Sequence, residues 1–240
     1  MNSQATSAVD CTVAEPSTSS GHRRRPSVLG VVCLASLVVF AYFAFIFAPE
    51  DAMQGSTQRI FYIHVPSAWI SFVGFAVVFG SSIGYLTKRS AKADRLAEAS
   101  ATIGLLFTTV VLVTGMMWGR AIWGVYWTWD PRLTSYLVLW LLYLAYIALR
   151  SYVPDPERKA RFSAILGIIA FLDVPIVYLS VLWWRTLHPH VFGPGGGGMP
   201  GQMLASMFVG LITFTLVFVY LVRLRLQVGR LAEQVEEVQS

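Results

Sequence analysis

Six blocks of mostly apolar residues alternate with short polar stretches along the chain: 28–48, 66–86, 99–117, 133–149, 162–182 and 203–222. A helix needs about 20 such residues to cross a bilayer. A backbone surrounded by lipid must satisfy its own hydrogen bonds, which a helix does. One long apolar run could form the core of a soluble domain, but six could not. The pattern therefore predicts an all-α integral membrane protein, a bundle of six transmembrane helices filling 28–222. A Ser-, Thr- and Ala-rich segment, 1–27, precedes it and reads as a disordered cytoplasmic tail. Residues 223–240 follow as a cytoplasmic amphipathic tail, with Leu224, Val228, Leu231, Val235 and Val238 at alternating four- and three-residue steps. Arg23–Arg25 ahead of the first block resemble an export signal. The block is long for one and ends Phe47-Ala48-Pro49, a poor cleavage site, so the first helix is expected to stay attached.

Composition agrees: 55% of the 240 residues are hydrophobic and 13% charged, against roughly 45–50% and about 25% in soluble domains. The net charge of +5 could suggest a nucleic-acid partner, but its distribution argues against one. All but four of the 18 Lys and Arg lie in the two tails and in the loops after the second and fourth blocks. The positive-inside rule then puts both termini in the cytoplasm. The four exceptions, Arg59, Arg120, Arg132 and Arg185, fall in the alternate, outer loops. Cys11 and Cys33 cannot plausibly pair, and without C-x-x-C-H the chain does not carry covalent haem in the c-type manner.

The outer segments hold the candidate chemistry. Six of the eight tryptophans lie there, four of them (Trp118, Trp123, Trp127 and Trp129) in the run W-G-R-A-I-W-G-V-Y-W-T-W-D, 118–130. An interfacial aromatic belt would mark both membrane faces, so a one-sided accumulation points to a platform for a large, flat, apolar ligand. His64 sits in Y-I-H-V-P-S just before Pro66, a proline that suits the first turn of a helix. His188 follows the fifth block, with His190 as a weaker substitute. Two imidazoles on opposed sides of a pocket can ligate one haem iron. Arg59, Arg120, Arg132 and Arg185 could each fork onto its propionates, or pair internally instead, as Arg120 or Arg132 could with Asp130. Asp130, followed by Pro131, also suits a helix N-cap. The glycine-rich run 193–201 lacks the phosphate-loop pattern and reads as a flexible outer loop. Asp173, two residues before Pro175 in the fifth block, is an intramembrane carboxylate expected to be protonated or hydrogen-bonded near a kink.

At these residues the chain resembles a known family. The tryptophan-rich loop, Y-I-H-V-P-S-A-W (62–69) and S-V-L-W-W-R-T-L-H (180–188) are similar to CcmC, the six-helix haem-handling subunit of cytochrome c maturation. The resemblance spans roughly residues 50–225. It implies a protein that binds haem b non-covalently at the outer, periplasmic face of the bacterial inner membrane and promotes its attachment to a membrane-anchored chaperone, CcmE. By motif it makes His64 and His188 the axial ligands, and Trp118, Trp123, Trp127, Trp129 and Asp130 the haem-contacting loop. It also implies separate ABC-transporter subunits (CcmA- and CcmB-like) and a very small membrane subunit (CcmD-like) as partners. Pro189 after His188, the glycine-rich run and the long N-terminal tail depart from the family pattern. No nucleophile or general-base pair is visible, so binding and orientation rather than catalysis are expected, the chemistry belonging to haem and its acceptor. Two rivals are a b-type haem electron carrier and a solute permease. A carrier would hold haem between helical histidines, whereas the sequence reads these as loop-boundary residues. A permease would need a polar path, yet Asp173 alone is charged in mid-membrane.

Overall fold

The computed structural model describes residues 27–188 and 198–239. The N-terminal extension with Cys11, Pro189, His190 and most of the glycine-rich run lie outside the described residues. Helix α1 (Val28–Tyr42) opens on the Ser27 side chain, which accepts from the Gly30 amide, and passes into a π-helical turn at Phe43–Phe47. A 3₁₀ turn, Ser56–Ile60, leads directly into α2 (Phe61–Lys88). Then come α3 (Ala91–Trp123), α4 (Pro131–Tyr152), α5 (Pro156–Phe171), α6 (Asp173–Trp183) and α7 (Gly201–Gln239). Six helical stretches are long and apolar enough to cross a membrane, α5 and α6 together forming the fifth. The protein is a multi-pass helical membrane protein.

The element boundaries differ from the sequence reading in three places. Pro66 is not in the first turn of its helix: α2 begins at Phe61, so both His64 and Pro66 are inside it. The preceding 3₁₀ turn has already set the chain's direction, and the helix starts before the apolar block does. Trp118 and Trp123 are not in a loop. Helix α3 continues through them until Gly124, whose φ of +79° is a left-handed cap that L side chains resist. The fifth block breaks at Leu172 into α5 and α6, so Asp173 starts a new helix beside the break. At the other end of the chain, α7 runs unbroken from Gly201 past Val222 to Gln239, 39 residues in all, about 58 Å at 1.5 Å per residue.

Without water between them, membrane helices associate by close packing and small residues. Helices α2 and α3 meet at Gly74 and Gly104, where a Cβ on Gly104 would come within 2.7 Å of the Phe75 ring. Phe75 in turn stacks on Tyr143 of α4, centroids 3.5 Å apart at 12°. Helix α7 crosses α2 at Gly210, where a Cβ would lie 3.0 Å from Pro66 Cγ and 3.3 Å from the Tyr62 carbonyl oxygen. Toward the end of the bundle away from Trp123, Arg150 of α4 is only 10% exposed. It donates two hydrogen bonds to Asp94 of α3 (2.7 and 2.9 Å) and one to Glu98 (3.1 Å). Arg225 and Glu233 of α7 pair with Glu98 and Arg95 of the same helix at 3.1 and 2.6 Å.

Candidate functional site

At the Trp123 end, α2, α3, α4 and the segment after α6 enclose a cavity of about 280 Å³. Helix α3 gives it one continuous stripe: Val111, Leu112, Gly115, Trp118, Gly119, Ile122 and Trp123. These positions recur at the three- and four-residue steps that keep side chains on one helix face. Helix α2 contributes His64, Ala68 and Phe72, and α4 contributes Arg132, Leu133 and Tyr136. Leu187 and His188 close the remaining side, with Gln54 at the rim. The walls are therefore apolar, with two imidazoles and one guanidinium among them.

Each imidazole carries an indole at its edge. Trp118 meets His64 with centroids 5.8 Å apart at 72°, and Trp123 meets His188 at 5.3 Å and 71°. The Trp118 indole N–H donates to Gln54 Oε1 at 2.9 Å, fixing the ring. Gly115 makes room for His64, since a Cβ there would lie 3.1 Å from His64 Cε1.

Hydrogen bonding sets the same tautomer in both histidines. His64 Nδ1 lies 3.0 Å from Thr114 Oγ1. The Thr114 hydroxyl has one hydrogen and donates it to the Val110 carbonyl at 2.7 Å. It therefore accepts from Nδ1–H and leaves the lone pair on His64 Nε2. His188 Nδ1 lies 3.2 Å from Asp130 Oδ1 and 3.3 Å from Thr186 Oγ1, two oxygens that both call for a hydrogen on Nδ1, so Nε2 is again free. Burial, reinforced by Arg132, holds the His188 imidazole below its ordinary value of 6.5, and Asp130 only partly opposes this. The pair is thus a neutral imidazole on a carboxylate. Burial raises the Asp130 carboxyl. Hydrogen bonds from Thr186, Leu187 and Arg132, with His188 beside it, outweigh that and bring it below the usual carboxylate value.

Asp130 joins three pieces of structure. Its Oδ1 caps α4 by accepting from the Arg132 amide at 2.9 Å, and its Oδ2 accepts from the Leu187 amide at 2.8 Å. The segment bearing His188 is thereby tied to the start of α4.

The structure brings His64, His188, Trp118, Trp123 and Arg132 around one cavity, with Asp130 behind His188. It does not bring the other sequence candidates there. Trp127 and Trp129 pack edge to face at 5.8 Å, and Trp129, 77% exposed, borders a separate shallow pocket with Arg185 and Thr186. Arg120 donates to the Gly124 carbonyl and lies over the Tyr126 ring. The 118–130 run is therefore two surfaces rather than one platform. Neither Arg120 nor Arg132 forms an ion pair with Asp130 among the described residues. Sequence reasoning missed Thr114, Gly115, Gly119 and Gln54. The one signal for them was the four-residue spacing of Gly115, just before the tryptophan run, and Gly119, inside it.

The profile of the family described as Heme exporter protein C, CcmC, matches residues 11–239. The chain belongs to the CcmC family. It is 46% identical over 176 residues to Heme exporter protein C of Bradyrhizobium diazoefficiens, covering 72% of this chain and 67% of that protein. The protein of the same name from Escherichia coli K12 is 40% identical over 161 residues, 67% of this chain and 65% of its own length. That of Paracoccus denitrificans is 32% identical over 183 residues, 74% and 75% of the two chains. The matched stretch thus spans about two thirds of the length of the first two relatives. For this CcmC-family chain, the helical position of His64 removes the argument that set it apart from a haem electron carrier. The family assignment now separates the two readings.

Proposed function

We propose that this chain binds haem in the His64–His188 cavity and delivers it to a membrane-anchored haem chaperone during cytochrome c biogenesis. The observation that carries the reading is the pair of imidazoles on one apolar cavity, each with Nε2 left free. No group of three or more His, Cys, Asp or Glu side chains able to hold a metal occurs among the described residues. Two nitrogens alone do not fill the coordination sphere of a bare transition-metal ion, whereas a porphyrin brings four of its own donors. The donor set thus suits haem iron with two axial imidazoles.

Haem would supply the reactive vinyl groups and the iron, while the protein orients them. His64 and His188 would hold the iron from two sides. Trp118 and Trp123 would cover ring edges, gaining apolar burial and aromatic contact. Arg132 would face a propionate, as the guanidinium of this cavity. At about 280 Å³ the cavity falls just below the size range of small-molecule sites, roughly 300–1,000 Å³. A macrocycle gripped there would leave an edge outside, where an acceptor can reach it.

The alternation of basic loops supports a site on the periplasmic side of the bacterial inner membrane, with both termini in the cytoplasm. On that topology 28–222 is the membrane domain and 223–240 a cytoplasmic extension, helical as far as Gln239. Family membership supports ABC-transporter subunits and a small membrane subunit as partners.

The test is the absorption spectrum of purified wild type, His64→Ala and His188→Ala, with and without chaperone, beside c-type cytochrome levels in cells. The reading expects a six-coordinate spectrum in wild type, its loss in each variant, and haem depletion when chaperone is active. Normal cytochrome levels in both variants would overturn it. A resident electron carrier, the reading that His64's helical position favours, would keep its haem whether or not chaperone is present.

A further inference from the structure

Each histidine has a threonine hydroxyl near Nδ1, and His188 alone also has a carboxylate there. His188 Nδ1 lies 3.3 Å from Thr186 Oγ1 and 3.2 Å from the carboxylate of Asp130, which is itself fixed by the Arg132 and Leu187 amides. His64 Nδ1 donates to the neutral hydroxyl of Thr114, whose own hydrogen is engaged by the Val110 carbonyl. A carboxylate behind a ligating imidazole raises its basicity and orients its ring. A hydroxyl orients the ring but adds little charge. The histidines also differ in place: His64 is on α2, facing α3 inside the bundle, while His188 is on the segment beyond α6.

We infer that the two axial ligands are unequal and that release is ordered, an inference that rests on the haem-binding reading above. His188 is the strong ligand, made so by Asp130 as a positioning residue. His64 is the exchangeable ligand, oriented by Thr114 as a weaker positioning residue. When an acceptor ligand arrives, the His64 Nε2–iron bond breaks first and the acceptor's donor atom takes that coordination position. His188, the less buried of the two histidines, keeps its bond to the iron, whose charge does not change.

The experiment uses the full-length protein in detergent, loaded with ferric haem, and apomyoglobin as a probe that takes up released haem. Compared are wild type, Asp130→Asn, Thr114→Val and Thr114→Ser. Asparagine still caps a helix, so Asp130→Asn removes the charge and keeps the bond from the Arg132 amide, while its Nδ2 no longer accepts from the Leu187 amide; the midpoint potential is the readout specific to the charge. Removing a partner behind a metal ligand typically costs about 10–100-fold in affinity. Haem loss from Asp130→Asn is expected to quicken by that factor, with a midpoint potential above wild type, because the carboxylate no longer favours the ferric state. Thr114→Val is expected to change haem loss only a few-fold and leave the potential near wild type, with Thr114→Ser restoring the wild-type rate. In parallel, His64→Ala is expected to retain five-coordinate haem on His188, and His188→Ala to lose haem. Equal or larger effects from Thr114→Val, or retention in His188→Ala alone, would overturn the ranking while leaving haem binding intact. A wild type without a six-coordinate spectrum would overturn the binding reading and the ranking together.

Discussion

Replacing Gly115 by alanine separates the site from the fold. The added Cβ would stand 3.1 Å from His64 Cε1 and 3.7 Å from Nδ1, so the imidazole must retreat by a few tenths of an ångström. The bond at risk is the 3.0 Å contact from Nδ1 to Thr114 Oγ1, worth about 0.5–1.5 kcal/mol net. Alanine in a helix interior is favoured over glycine by about 1 kcal/mol, so the two effects nearly cancel in the unloaded protein. Its melting temperature should stay close to wild type. Haem affinity should not, because a displaced ring aims Nε2 away from the iron. With tenfold in affinity equal to about 1.4 kcal/mol, the expected loss is roughly two- to tenfold. Thermal melting in detergent and a Soret-band haem titration measure the two quantities on one preparation. An unchanged affinity in Gly115→Ala, alongside a lowered one in His64→Ala, would show that Gly115 does not constrain the ligand.

Two further outcomes follow from charges near the ends of the helices. Arg150→Ala strips the buried partner from Asp94 and Glu98 and should destabilise the protein by about 3–5 kcal/mol, read as a fall in melting temperature. A melt indistinguishable from wild type would mean that these carboxylates are hydrated without it. The stability of the haem-free protein should fall on acidification. His188 is held below 6.5 in the fold, so below that pH the unfolded chain binds the proton more readily and stability drops until the folded imidazole also titrates. Asp130, also lowered, adds a second loss at more acid pH as its folded carboxyl takes up a proton. Both slopes have the same sign. A melting curve for His188→Ala that kept the wild-type slope just below pH 6.5 would remove His188 as its source.

The membrane helices were legible because hydropathy is a block property that survives local exceptions: all six spans coincide with apolar blocks. Their ends were not legible, for identifiable reasons. Trp118 and Trp123 look like interface residues, yet nothing in 118–123 stops a helix, and the stop is the backbone of Gly124. Pro66 reads as a helix start, but the turn at Ser56–Ile60 had already begun the helical path. The histidines stood out as rare polar groups beside apolar runs. Thr114 did not, because a threonine bonded to its own helix carbonyl is ordinary in an apolar segment, and its link to His64 is made across two helices. The pairing of Asp130 with His188 spans two segments remote in sequence. The capping role of Asp130 was visible locally, and its contact with His188 was not.

Pro66 has no amide hydrogen to offer the Tyr62 carbonyl one turn earlier, and that oxygen faces the α-carbon of Gly210. A Cβ at 210 would meet that oxygen at 3.3 Å, Pro66 Cγ at 3.0 Å and Phe40 Cε2 at 3.1 Å, so the helices must give by a few tenths of an ångström, and a larger side chain would lift α7 off the unpaired carbonyl. The proline in one helix thus dictates the residue in another. Exchanging Gly210 for a larger residue should do less harm where position 66 regains an N–H and loses its ring, which couples the two positions in any redesign of this chain.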